Sequence, residues 1–131
     1  MEGAEVALIT TNTVTSTARD VIDAMRGEGI PIGLVKLRLF RPFPVKDVVE
    51  ALRGVRKIAV LDRNLTFGQC GVFAEEIKAA LYDYGLRTPL FDYVLGLGGR
   101  DVTPALIRQV AEHVLTHDTP ESRIIWMGVR I

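Results

Sequence analysis

KIAVLD, Lys57 to Asp62, runs straight into RNLTFGQCG, Arg63 to Gly71. The same grammar recurs at VLGLGGRDVTP, Val94 to Pro104. In each case an apolar run too short for a helix ends in an Asp/Arg pair among glycines, and a helical pattern begins. Short apolar runs alternating with amphipathic segments read as β-α units, and a series of them reads as a parallel sheet covered on both faces. At the carboxyl ends of such strands open α/β sheets receive ligands and partner chains. The two clusters therefore mark where function is expected, without saying what it is.

The same order extends in both directions. EVALIT, Glu5 to Thr10, is a first strand, and Thr11 to Thr15 form a hydroxyl-rich loop. Ser16 is placed to cap a helix to about Arg26, with Ala18, Val21, Ile22 and Met25 on one stripe and Gly27 and Gly29 stopping it. IPIGLVKLRLF, Ile30 to Phe40, is a second strand whose later half alternates Val35, Leu37 and Leu39 with Lys36 and Arg38, so one face is wetter. Pro42 and Pro44 end strand pairing, and Pro44 suits the first turn of a helix over Val45 to Arg53. After the third strand, Phe73, Ile77, Ala80 and Leu81 line a helix to about Tyr84. Thr88 to Leu95 is the fourth strand. Thr103 then caps a helix with Pro104 in first position, lined by Leu106, Ile107, Val110, Val114 and Leu115. Residues 117–131 are a polar linker followed by RIIWMGVRI, a terminal strand or docking tail. The whole chain, 1–131, is read as one α/β domain, a usual length for one.

Composition narrows the function. Lys+Arg and Asp+Glu are both 16, so the formal net charge is zero. That lacks the clustered basic excess of a nucleic-acid binder and protects poorly against self-association, which favours life in an assembly. No segment approaches a membrane span, and no signal segment opens the chain, so a cytoplasmic protein without membrane or nucleic-acid partners is expected. Cys70 is the single cysteine. It can form no internal disulfide and no thiolate cluster, and without a His partner it is read as a packing residue.

The motifs are weighed against plain structural roles. TTNTVTS, Thr10 to Ser16, has none of the glycines of a dinucleotide fingerprint. Its hydroxyls could accept a phosphate at the helix start, but capping is the simpler role. A phosphoacceptor receiver would want an acidic pair after the first strand, and Thr10 and Thr11 stand there instead. Asp62, Arg63 and Asn64 either hold the strand end in a turn or face a partner. Gly98, Gly99, Arg100 and Asp101 follow so many glycines that close packing on the loop is expected, with Arg100 and Asp101 bonding across an interface. These seven residues are the candidate interface, and no catalytic, cofactor-binding or metal-binding residue is assigned. His113 and His117 have a metal-binding spacing, but no third ligand is apparent, so both are read as helix-end histidines near the dipole.

Read together, KLRLFRPFP (Lys36 to Pro44), LDRNLTFGQCG (Leu61 to Gly71) and LGGRDVTP (Leu97 to Pro104) resemble core domain II of pyruvate:ferredoxin oxidoreductase and related 2-oxoacid:ferredoxin oxidoreductases. IIWMGVR, Ile124 to Arg130, resembles the end of their α subunits. The resemblance covers Glu5 to Arg130. It implies a three-layer α/β/α sandwich like the transketolase C-terminal domain, mostly parallel with one antiparallel edge strand, for which the C-terminal run is the candidate. It also implies a parent complex with thiamine diphosphate, Mg²⁺ and [4Fe-4S] clusters, converting a 2-oxoacid such as pyruvate, CoA and oxidised ferredoxin to acyl-CoA, CO₂ and reduced ferredoxin. The chain itself would be an excised domain or the C-terminal part of an α subunit, holding no cofactor. Its role would be to assemble other domains and subunits, a homodimer included, with ferredoxin and CoA met only through the holoenzyme. TTNTVTS departs from the glycine-containing first loop common in the family. The alternative is a free-standing phosphate- or nucleotide-binding α/β module.

Overall fold

Ala7, Leu8 and Ile9 are successive residues of one strand and none has any exposed surface. A strand apolar on both sides must be covered on both sides, and the architecture follows from that. The computed structural model describes residues 3–11, 14–38, 43–63, 71–96 and 101–127. Its elements are β1 (Val6–Thr11), α1 (Val14–Gly27), β2 (Ile32–Leu37), α2 (Val45–Leu52), β3 (Lys57–Asp62), α3 (Val72–Asp83), β4 (Leu90–Val94), α4 (Pro104–Thr116) and β5 (Ile125–Trp126). The strands form one sheet in the order β2-β1-β3-β4-β5.

Two apolar layers sandwich the sheet. Leu8, Ala59, Leu61, Phe91 and Tyr93 meet Ala18, Ile22 and Met25 of α1 and Ile107, Val110 and Val114 of α4. On the other face Ala7, Ile9, Ile58 and Val60 meet Val48 and Leu52 of α2 and Ile77 and Leu81 of α3. The chain moves from β1 to β2 in one direction, then crosses back and continues β3, β4, β5 in the other. The topological switch therefore lies between β1 and β3, beside Thr10, Thr11 and Asp62.

All four strand pairings are parallel. The antiparallel edge expected of the C-terminal run is not found there: Tyr93 pairs with Ile125 and Val94 with Trp126 in parallel register. The path explains it. α4 carries the chain back along the sheet, so β5 enters in the same sense as β4. The β4-α4-β5 connection uses the face opposite to α2 and α3 although it steps the same way across the sheet. Its hand is thus opposite to that of the two preceding crossovers, an uncommon arrangement for parallel strands.

Boundaries shift by small amounts. The first helix begins at Val14 rather than after Ser16, because Val14 and Thr15 are themselves buried. Thr15 does not face solvent: its hydroxyl lies 3.0 Å from that of Thr10, a buried pair joining β1 to α1. The fourth strand starts at Leu90. Thr103 caps α4 as expected, its hydroxyl accepting from the Leu106 N–H at 3.1 Å, with Pro104 at the first position. Lys36 and Arg38 are exposed beside buried Leu37, so β2 has the wetter face read from its alternation.

Candidate functional site

Two carboxylates are buried under the start of α3. Asp62 ends β3 and Asp92 lies in β4, where it pairs in register with Val60 while Asp62 pairs with Val94. Alternation therefore puts both side chains on the face covered by α2 and α3. A helix leaves its first N–H groups without partners, and residue 71, at the cap of α3, is a glycine with no side chain to offer. The strands supply the acceptors. The Phe73 and Ala74 N–H groups donate to Asp62 Oδ1 and Oδ2, each at 3.1 Å, and the Gly71 N–H donates to Asp92 Oδ2 at 2.9 Å. Gly71 has φ of −65°, open to any residue. What excludes a side chain is space: a Cβ there would fall inside the Asp62 carboxylate.

Burial dominates the electrostatics. Asp62 is 1% exposed and Asp92 0%. Desolvation raises the Asp62 pKa to about 7, against the two backbone N–H bonds that lower it and with a further push from Asp92. Desolvation also raises Asp92, opposed by the Gly71 N–H and by the charges of Lys78 and Arg123. Asp92 Oδ1 has no hydrogen-bond partner among the described residues.

Arg63, the next residue, projects over the other side of the same edge. Its guanidinium donates to the Gly96 carbonyl at 3.3 Å. Gly96 has φ of +68°, and a Cβ there would come within 2.7 Å of Arg63 Nε and 2.8 Å of Val102. Glycine is thus required twice over, by conformation and by the close approach of the arginine. Beyond it opens a cavity of about 380 Å³ lined by Val14, Thr17, Arg63, Asp101, Val102, Thr103 and Pro104. It sits between the starts of α1 and α4 at the switch-point edge.

Of the candidate interface residues, Arg63 and Asp101 are exposed and line this cavity together. Asp62 belongs elsewhere: its burial and its two N–H partners make it an internal cap of α3 rather than a surface contact. Asn64, Gly98, Gly99 and Arg100 lie outside the described residues, as does Cys70. Asp92 was missed. Its signal was present, because an Asp inside LFDYV is a charge in an otherwise apolar strand, and such a group is buried only with partners. Glu121 was missed as a companion of His113 and His117; all three gather at the far end of α4.

The chain matches the family described as pyruvate:ferredoxin oxidoreductase core domain II over residues 4–107. It belongs to that family. It is 40% identical to pyruvate synthase subunit PorA of Methanothermobacter thermautotrophicus over 129 residues, which is 98% of this chain and 32% of that protein. It is 41% identical over 112 residues to ketoisovalerate oxidoreductase subunit VorA of Pyrococcus horikoshii, covering 86% of this chain and 28% of that one. The chain thus spans about a third of these curated relatives. Among solved structures, a split-gene transketolase described as an inactive beta4 tetramer superposes with a TM-score of 0.64 at 18% identity, over 88% of this chain and 39% of that one. The 2-oxoglutarate:ferredoxin oxidoreductase of Magnetococcus marinus superposes at 0.63 and 20% identity, over 87% of this chain and 18% of that one. Both likenesses establish the fold: a transketolase-like α/β sandwich.

A [4Fe-4S] cluster takes several thiolates and the chain has one cysteine. A Mg²⁺-diphosphate site needs carboxylate oxygens open to the ion, whereas both Asp62 oxygens are bonded to α3. No helix of the described residues is long and apolar enough to cross a membrane.

Proposed function

We propose that this chain is the assembly domain, at the C-terminal end of the α subunit, of a cytoplasmic, thiamine-diphosphate-dependent 2-oxoacid:ferredoxin oxidoreductase. Pyruvate is the first 2-oxoacid to test. The parent complex, with its Mg²⁺ and [4Fe-4S] clusters in other domains and subunits, would turn 2-oxoacid, CoA and oxidised ferredoxin into acyl-CoA, CO₂ and reduced ferredoxin. The observation that carries the reading is the family match over residues 4–107 in a chain a third the length of its relatives. The site geometry supports it. Asp62 and Asp92 are used in holding α3, and what reaches the surface is Arg63, its guanidinium held by the Gly96 carbonyl, together with Asp101. A side chain already held loses less conformational entropy when a partner packs on it. Asn64, Gly98, Gly99 and Arg100 complete this proposed docking edge by sequence.

The test is assembly. Arg63→Ala and Arg100→Ala, made in the complete oxidoreductase, should weaken association of the domain or subunit in native mass spectrometry. Viologen reduction per assembled complex should stay unchanged. A complex that assembles normally but loses turnover would make either arginine catalytic and sink the architectural reading. The cavity between the starts of α1 and α4 supports a second reading, a phosphate- or nucleotide-binding module. Calorimetry of the 131-residue chain with inorganic phosphate and with ATP separates the two, since saturable binding lost in Arg63→Ala would favour the module.

A further inference from the structure

We propose that His113, His117 and Glu121 form a binding site for a divalent transition-metal ion of the zinc class. The ion would clasp the turn after α4 to the helix. One ligand atom from each of the three side chains lies within 4.8 Å of the other two. His113 lies in the last turn of α4 and His117 is its C-cap, with the two rings stacked at 4.0 Å and 17°. Glu121, eight residues after His113, returns to place Oε1 2.5 Å from His113 Nε2.

The ring nitrogens of His117 are already sorted for coordination, and those of His113 become so when an ion displaces one proton. His117 Nδ1 is 2.8 Å from the His113 backbone carbonyl. A carbonyl only accepts, so Nδ1 carries the proton and Nε2 keeps its lone pair. His113 Nδ1 is 2.6 Å from the Tyr93 hydroxyl. With Nδ1 donating to the phenol oxygen, loss of the proton shared with Glu121 leaves His113 Nε2 a lone-pair donor facing the carboxylate. Metal-bound histidines characteristically give their second ring N–H to such an outer partner, which fixes tautomer and orientation. Here the partner is rigid: Tyr93 has no exposed surface, and its ring meets His113 edge-on at 5.6 Å and 89°.

Two imidazoles and a carboxylate suit zinc and its neighbours and leave a fourth position open. In the metal-free arrangement a proton bridges His113 and Glu121. Replacing it by a tetrahedral ion with ligands at about 2.1 Å requires those two atoms to part to about 3.4 Å. Glu121 is exposed and sits in the linker, so the movement disturbs no core contact. The linker leads directly to β5, whose two residues enter by the oppositely handed crossover. A metal clasp at Glu121 would hold that short strand against β4 where two residues of ladder hold it weakly.

The 131-residue chain, untagged and stripped with a chelator, is titrated with Zn²⁺ by calorimetry and with Co²⁺ as a visible-absorption probe. We expect one ion per chain and the intense d–d bands of a four- or five-coordinate site. His117→Ala and Glu121→Gln should each weaken binding by about ten-fold or more, and Tyr93→Phe by roughly 10–100-fold. Absence of saturable Zn²⁺ binding would overturn the proposal and leave a proton-bridged His–Glu pair. So would equal affinity in His117→Ala and Glu121→Gln. If Tyr93→Phe loses its fold by circular dichroism, the two surface substitutions alone decide.

Discussion

Replacing Asp62 by Asn should flatten the dependence of stability on pH between about 5 and 7. In the unfolded chain Asp62 titrates near its ordinary value of 3.8, whereas in the fold burial raises it to about 7. Between those values the folded state holds a proton that the unfolded state has lost. Stability therefore falls as pH rises through the window, and levels off above the folded pKa. A difference of about 3 pH units corresponds to roughly 4 kcal/mol at 1.36 kcal/mol per unit. This is an upper figure, because Asp92 shares the proton chemistry of the pocket. The assay is urea unfolding at pH 5, 6, 7 and 8. The parent chain should be most stable at the acid end. The Asn side chain has one acceptor oxygen for the two N–H groups of Phe73 and Ala74, which adds a pH-independent loss of about 1–3 kcal/mol. The quantity that decides is the difference in slope, since every other titrating group is common to both chains. A parent chain whose stability rises from pH 5 to 8, or an Asn variant with the same slope, would refute the claim that Asp62 is protonated by burial.

Two further substitutions probe the same scaffold. Gly71→Ala should destabilise the domain by about 1–3 kcal/mol, the usual cost of forcing an atom into a filled space, because its Cβ collides with Asp62. In an Asp62→Ala background the same change should cost at least about 1 kcal/mol less by urea unfolding, and full additivity would deny the collision. Lys57→Met should cost about 1–2 kcal/mol, because Lys57 Nζ donates to the Val114 and Leu115 carbonyls at 3.0 and 3.2 Å, closing the end of α4. An unchanged unfolding midpoint would show those bonds to be exchanged with water at no loss.

Most of the fold was legible because its signals are local. KIAVLD became β3 residue for residue, and Thr103-Pro104 opened α4 as a cap and a first-turn proline must. The first helix was read three residues late because Ser16 looks like a capping residue and Thr15 like part of the loop, whereas Thr15 is in fact a buried partner of Thr10. The antiparallel edge was implied by the family resemblance rather than by any local signal, and Ile125 and Trp126 instead pair in parallel with Tyr93 and Val94.

The site was legible in place but not in chemistry. Asp62 was singled out with Arg63 as though adjacent charges shared a role, yet strand alternation sends them to different surroundings. Asp62 turns under α3, and Arg63 crosses Gly96 toward the cavity. The cap of α3 shows why spacing rules failed there. Capping patterns look for an acceptor within the helix's own first turn, but Gly71 can supply none. The acceptors come from positions 62 and 92, nine residues before and twenty-one after it. That arrangement fastens the chain at Asp62, where β3 ends, and at Gly71, where α3 begins. The glycine of FGQCG and the Asp of LDRN are therefore one requirement written at two places. A side chain at 71 and the Asp62 carboxylate in its present position compete for the same space. If the edge beside them is a docking rim, its geometry is maintained by this buried pair, and raising pH through about 7 should lower the stability of the domain that carries the rim without altering any residue at the surface.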